Sequence, residues 1–357
     1  MQFSRNLLPL RNNHMQSTMK SILGIGNAIT DIPVFLPDRF LLNELGLQPG
    51  SMNHIDGQKE RQIWDALQGA DLHPVQGGSA ANTVAAVSRL GMKCGFIGKV
   101  GKDALGNGFK GELEQNGVCG CLLEGELPSG RAYTFIGKEN TGMPENGGMA
   151  EERTFAAYLG AALEFVPGEL AEEMFQGYDC LHVEGYLLQC PGVVERAVEI
   201  ARGRGMVVSF DLGSVGIVKN YRNRVERIVA DFADIVFANE DEALAFTGKR
   251  GEEAAMVMNS MMQDGIAVVK QGEKGSVVLQ GRELYRVAAV AAEAVDTTGA
   301  GDAYAAGFLY AYSQGADAGK CGEAGALLAS EVVAVIGPKI GKSGLEAGKT
   351  AIEALLK

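Results

Sequence analysis

Short apolar runs alternate with amphipathic stretches along most of the chain, and this alternation constrains the fold more than any other feature. Ile22–Gly26, Gly95–Val100, Cys180–Val183, Met206–Asp211, Ile235–Ala238 and Ile266–Lys270 read as strands with no solvent-facing side. Between them, Ala80–Leu90, stopping at Gly91, and Ala104–Asn116 and Val193–Arg204 carry helical periodicity. Strands apolar on both faces must be covered on both. The pattern therefore predicts an α/β fold, a doubly wound, mainly parallel sheet with helices on each face. The last third is helical in character, over Ala300–Ser313, Gly322–Ile336 and Gly344–Leu356.

Two segments break the rhythm. Residues near 32–55 hold Pro33, Pro37 and Pro49 and read as irregular. Residues near 129–159 hold Arg131–Ile136 and Arg153–Tyr158, which alternate like antiparallel strands around a Gly-rich tip, Asn140–Gly148. Both are expected to form a small β appendage over one edge of the main sheet. Residues 1–18 lack the apolar core of a secretory signal and have no regular apolar period. They are expected to be a disordered leader, with one domain over 19–357. No run is apolar enough to span a bilayer. The formal net charge of −12 disfavours phosphate backbones and anionic lipid, so neither nucleic acid nor membrane is an expected partner. The six Cys suit neither a disulfide scaffold nor a zinc site, and a cytoplasmic location is expected.

Several common site motifs fail. Gly24-Ile-Gly26 opens a dinucleotide fingerprint, but Ile29 stands where its third glycine belongs, which weakens an oxidoreductase reading. Gly337–Ser343 and Gly344–Thr350 are each one residue short of a Walker A loop. No zincin, nucleophile-elbow or C-x-x-C motif is present.

Two stretches carry chemistry. Asp296–Gly307 places Gly299-Ala300-Gly301 at a helix start and Asp302 in its first turn. Backbone N–H groups converging there, with the positive helix end, make an anion hole. An adjacent carboxylate suits transfer of a phosphoryl group to a hydroxyl, with Asp302 as general base. An Asp in that place also serves as a plain helix cap. Gly77-Gly78 precedes the helix that carries Asn82. A diglycine lets a ligand approach the backbone, and Asn82 offers a donor and an acceptor to a sugar hydroxyl. The same stretch also reads as an ordinary βα turn capped by Ser79.

Together, Gly77–Gly91 and Val295–Tyr310 resemble the two signatures of the ribokinase family, the PfkB carbohydrate and nucleoside kinases. The resemblance runs from about Met19 onward. It implies a ribokinase-like α/β domain with a small β lid, ATP and Mg²⁺ as cofactors, and in-line transfer to a primary hydroxyl. It also implies that Asp302 is the base and that the N–H groups of Gly299, Ala300 and Gly301 hold the moving charge. Asn239-Glu-Asp-Glu242 matches the family's N-x-x-E motif, in which Glu242 organises Mg²⁺ largely through water; read alone, it is a capped helix start. Gln271, Gly272 and Gly275 stand where the family has a nucleotide-contacting loop, and read alone they form a hairpin-like turn. Asp296 and Thr298 match a monovalent-cation site, with K⁺ as the ion.

The acceptor follows less directly. Asp31 matches the family's sugar-hydroxyl ligand, and the Gly26-Asn27…Asp31 spacing resembles adenosine kinases more than ribokinases. Arg153-Thr154 resembles the same branch, where such an Arg reaches the transferring phosphate; alone, Arg153 reads as a solvated strand-edge charge. The expected acceptor is a ribonucleoside such as adenosine. A free sugar such as ribose or fructose is the alternative, and a catalytically silent sugar- or nucleoside-binding protein is the reading from another class. Either a monomer or a homodimer is compatible with the sequence.

Overall fold

The structure, a computed structural model, describes residues 19–36, 40–49, 52–138, 151–262, 265–335, 337 and 339–357. Residues 1–18, expected to be a leader, and the Gly-rich stretch 140–148, expected to be a tip, lie outside the described residues. Among the described residues fourteen strands form in chain order: β1 (Ser21–Ile25), β2 (Ile29–Leu36), β3 (Met52–His54), β4 (Val75–Gln76), β5 (Lys93–Gly101), β6 (Val118–Gly125), β7 (Gly130–Lys138), β8 (Glu151–Tyr158), β9 (Cys180–Glu184), β10 (Val207–Asp211), β11 (Ile235–Asn239), β12 (Ile266–Lys270), β13 (Ser276–Gln280) and β14 (Glu283–Val287).

Nine of them make one sheet in the order β14-β13-β12-β11-β10-β9-β1-β5-β6. Every pair from β12 to β6 is parallel, and β13 and β14 close the other edge antiparallel. β1, β9 and β10 are buried along their whole length, which is why their sequences show no alternation. One face packs against the helices Ser79–Leu90, Ala300–Ser313, Ala318–Val333 and Lys342–Leu356. The other packs against Val193–Gly203, Arg222–Asp231 and Gly251–Met261. Gly91 ends its helix in the left-handed conformation at φ +110, as the sequence predicts. The penultimate helix starts at Ala318, earlier than its apolar pattern indicates, because Asp317 accepts the Lys320 N–H and caps it there.

The other five strands make a second sheet, β3-β8-β7-β2-β4. β7 and β8 pair antiparallel, as their alternation predicts. The expectation of an irregular 32–55 is corrected: that span holds most of β2, a short helix at Phe40–Glu44, and β3. Pro33 hides the strand in the sequence. Ile29 directs its carbonyl toward the β4 side, where it accepts the Gly77 N–H. Pro33 is the same parity, and β4 pairs only as far as Asp31, so the missing N–H falls where that ladder has already ended. Ile32, Val34, Tyr133 and Phe135 bury one face of this sheet under Leu42, Ile63 and Leu67. On that buried face Arg131 pairs with Glu60 and lies 4.5 Å from the Trp64 ring centre.

Candidate active site

In a parallel sheet the carboxyl ends of the strands share one edge, and ligands bind there. Here that edge collects a polar residue from each of five neighbouring strands. β1 runs out into Asn27, and β9, β10, β11 and β12 end in Glu184, Asp211, Asn239 and Lys270. The helices Ser79–Leu90 and Ala300–Ser313 begin over the same edge.

Glu184 ties this edge together. Its Oε1 accepts the Asn27 N–H at 2.8 Å and its Oε2 accepts the Ala80 N–H at 2.8 Å. It thereby caps a helix whose own N-cap, Gly78, has no side chain. Burial raises its carboxyl to about 7, against the pull of those two N–H bonds. Nothing in the sequence motifs marks this residue.

The diglycine brings the chain close to itself before it could bring a ligand close. A methyl group on Gly77 would lie 2.3 Å from the Asp31 carboxylate, and one on Gly78 would lie 2.4 Å from the Asn27 carbonyl oxygen. Gly78 also sits at φ +85, a conformation side chains resist. Asn27 and Asp31 are thereby held beside the start of the Ser79–Leu90 helix. The Asn27 side chain is 0% exposed, and among the described residues neither its Nδ2 nor its Oδ1 has a partner.

Asp302 stands in the first turn of its helix and receives a hydrogen bond on each oxygen. Ser79 Oγ donates to Oδ1 at 2.7 Å and Asn82 Nδ2 donates to Oδ2 at 3.0 Å. Gln76 Nε2 donates to the Asn82 Oδ1 at 3.4 Å, which fixes the amide the right way round. Asn82 therefore touches Asp302 directly. Burial raises Asp302 to about 6; the Ser79 and Asn82 bonds and the Lys270 charge oppose it, and Asp211 adds to it. Asp31 goes up to about 7, chiefly by burial and then by the charge of Asp302.

The expected three-donor anion hole is corrected in one member. Gly299 lies at φ +77, ψ −1, which closes a type II turn, and the Ala300 N–H donates to the Thr297 carbonyl at 3.1 Å. Gly299 and Gly301 keep N–H groups without a partner among the described residues. Lys270 lies beside them: a methyl group on Gly301 would be 3.0 Å from its Nζ. That ammonium donates to Asp211 Oδ2 at 3.0 Å, and Asp211 Oδ1 accepts the Gly213 N–H at 2.9 Å.

Asn239 and Glu242 form a reciprocal capping box. The Asn239 N–H and Nδ2 donate to the two Glu242 oxygens at 2.8 and 2.6 Å, and Asn239 Oδ1 accepts the Glu242 N–H. Burial and then the Asp211 charge raise Glu242 to about 7. Gln271–Gly275 is the tight turn between antiparallel β12 and β13, closed by Gln271 N–H to Gly275 O at 2.8 Å, with Gln271 Nε2 3.4 Å from Glu240. The Asp296 carboxylate accepts the N–H groups of Thr298 at 2.8 Å and Gly337 at 2.7 Å, and the Asp296 N–H donates to the Val333 carbonyl at 3.1 Å.

A family model for pfkB family carbohydrate kinases matches residues 51–343. The chain belongs to the PfkB family of carbohydrate kinases. A probable sugar kinase from Rhizobium etli CFN 42 superimposes with a TM-score of 0.81 at 34% identity, covering 95% of this chain and 99% of that one. The adenosine kinase from Sinorhizobium meliloti superimposes with a TM-score of 0.80 at 34% identity, over 93% and 99%. A nucleoside kinase of Methanothermobacter thermautotrophicus is 29% identical over 282 residues, 78% of this chain and 84% of the relative. This PfkB protein is accordingly an ATP-dependent kinase whose acceptor is a small-molecule sugar or nucleoside, and its nine-stranded sheet is the ribokinase-like fold. The family implies ATP and a divalent metal. No helix among the described residues is long and apolar enough to cross a membrane.

Of the residues expected in this kinase's site, Asn27, Asp31, Gly77, Gly78, Asn82, Gly299, Gly301 and Asp302 meet at one place. Ala300 is there with its N–H already used. Asn239 and Glu242 border it across Asp211 and Lys270. Arg153 lies on β8, opposite Ile136, and its side chain is outside the described residues. Ser79, Glu184, Asp211 and Lys270 are the additions the structure makes.

Proposed function

We propose that this kinase moves the γ-phosphoryl group of ATP to a primary hydroxyl of a ribonucleoside. One observation carries the choice of acceptor. The face of the small sheet that continues outward from Asp31 carries Pro33 and Phe35, and across the register Ala132, Thr134, Ile136, Ala157 and Phe155, a strip that is apolar but for one hydroxyl. It is the face opposite the buried one, and Phe35 is 66% exposed. A free sugar has hydroxyls on every side and no use for such a strip. A ribonucleoside presents hydroxyls at one end, for Asn27 and Asp31, and a flat base at the other.

In this reading the small sheet, with residues near 32–55 and 129–159, is a lid that excludes water from the transfer. The acceptor oxygen attacks the γ-phosphorus, its proton passes to Asp302, the bond to the β,γ-bridging oxygen breaks, and ADP leaves. Ser79 and Asn82 hold the two Asp302 oxygens so that the base is aimed before substrate arrives. The N–H groups of Gly299 and Gly301 receive the charge that develops on the phosphoryl oxygens. Mg²⁺, when bound, neutralises polyphosphate charge. Glu242 suits an outer role toward it, because its oxygens already hold Asn239 and its buried carboxyl gains from a cation near by. Asp296 and Thr298 remain the candidate K⁺ site, and the rate in KCl against NaCl tests it. Gln271, Gly272 and Gly275 lie on the nucleotide side.

ATP consumption over a panel of ribonucleosides and free sugars tests the acceptor. Adenosine or another ribonucleoside is expected to give the highest kcat/KM. A free sugar, the reading favoured by the Rhizobium etli relative, wins if ribose or fructose does. No turnover on any member means a binding protein. Asp302→Asn keeps the shape, accepts from Asn82 and donates to the Ser79 hydroxyl in place of accepting from it, but cannot take the proton, so kcat is expected to fall by roughly a hundredfold or more. Turnover above a tenth of wild type removes Asp302 as the base.

A further inference from the structure

The phosphate site lacks a donor that the sequence led us to expect, and a buried cation stands beside the gap. Ala300 has given its N–H to Thr297. Lys270 ends β12 with its side chain 15% exposed, over the Phe237 ring at 5.9 Å, and its Nζ lies beside Gly301. Three carboxylates surround that point: Asp211 from β10, Glu242 from the Asn239-capped helix and Asp302 from its own helix. Such a cluster repels a polyphosphate unless a positive charge faces the nucleotide. A lysine desolvated merely to pair with Asp211 contributes little to stability, because burying both charges costs about what their attraction returns.

We propose that the Lys270 ammonium is the third donor of the phosphate site, turning from Asp211 to the transferring phosphoryl group when ATP is bound. Asp211 then stays anchored through the Gly213 N–H. A compact ammonium on a flexible stem can make this move, and its charge counts most when the phosphoryl charge is spread over three oxygens. This inference rests on reading the Gly299–Gly301 turn as the phosphate site.

The test compares Lys270→Met, Asp211→Asn and the double variant, which removes both charges of the Lys270–Asp211 pair and leaves no unpaired carboxylate at position 211. Lys270→Met is expected to lower kcat by about a hundredfold or more, the scale for one lost transition-state donor. Calorimetric affinity should weaken for ATP by about tenfold while ADP binding holds, since the lost charge faces the γ-phosphate. Asp211→Asn, which leaves the ammonium in place, should lower kcat by clearly less than Lys270→Met does. The double variant should regain the melting temperature lost by Lys270→Met and still turn over slowly. A folded double variant with more than a tenth of wild-type kcat, an Asp211→Asn loss as large as the double's, or equal weakening of ATP and ADP would each overturn the proposal and make Lys270 a structural partner of Asp211. Asp302→Asn measured in parallel separates the two readings. If it is active, the site itself is misassigned. If it is inactive while Lys270→Met is active, only the role of Lys270 falls.

Discussion

Glu184→Gln is the perturbation whose outcome the geometry determines most tightly. Folding moves the Glu184 carboxyl from 4.5 to about 7, because burial disfavours its charge. The folded chain therefore keeps the proton over a range in which the unfolded chain has lost it. The resulting stabilisation is full below 4.5 and is lost as pH rises through about 7. With those two values, linkage makes the loss about 1.4 kcal/mol between about pH 6 and about pH 8.5. Gln cannot ionise and carries no such slope. It also has one acceptor where Glu184 used two, so either the Asn27 or the Ala80 N–H loses its bond, at about 1–3 kcal/mol. Whatever offset the lost bond sets, wild type is expected to lose about 1.4 kcal/mol relative to the variant between about pH 6 and about pH 8.5. Urea denaturation of both proteins at both pH values reads this directly. Other carboxylates raised by burial tilt both proteins alike and drop out of the difference. Parallel pH dependences in the two proteins would refute a buried, raised Glu184.

Two further outcomes follow from the same geometry. Gly78→Ala forces a side chain into φ +85 and against the Asn27 carbonyl, so it should cost about 2–4 kcal/mol and weaken acceptor binding, while Gly108→Ala, exposed in a helix with nothing within 4 Å, should be neutral or stabilising by thermal melting. The rate should fall on the acid side of about 6, where Asp302 becomes protonated, and kcat/KM flat from about pH 5 to pH 7.5 would exclude Asp302 as the ionising base.

The sheet was legible because its central strands are buried on both faces and so are written as mainly apolar runs without alternation. The Gly-rich turns at 77–78 and 299–301 were legible because only glycine fits where backbone passes backbone or φ turns positive. The strand over residues 29–36 was not, since Pro33 reads as a breaker until the ladder beside it is seen to stop at Asp31. β4 was too short to show any pattern. The role of Asn82 was read as a contact to substrate, whereas its amide is held by Gln76 and given to Asp302. A local sequence cannot carry that, because Asn82 and Asp302 are 220 residues apart. The Ala300 N–H was counted as a donor because spacing does not say which turn type precedes the helix.

One signal was present and unread. β9, β10, β11 and β12 each end in a polar residue, Glu184, Asp211, Asn239 and Lys270, and the only polar side chains inside them are His182 and Ser209, which bond to each other at 3.0 Å. A polar group inside such a strand needs a partner there, as His182 and Ser209 find in each other, so a polar residue at the strand's end marks where it leaves the core. In a parallel sheet all those exits lie on one edge, and that edge is where ligands bind. These four residues are thus neighbours in space for the same reason that they end their strands. Asn239 reached attention through a motif, while Glu184, Asp211 and Lys270 match no motif and hold the site by position. Glu184 joins Asn27 to the Ser79–Leu90 helix. Asp211 and Lys270 set the charge beneath the Gly299–Gly301 turn. Reading the terminal residue of each buried strand, before looking for signatures, recovers this floor of the site from the sequence.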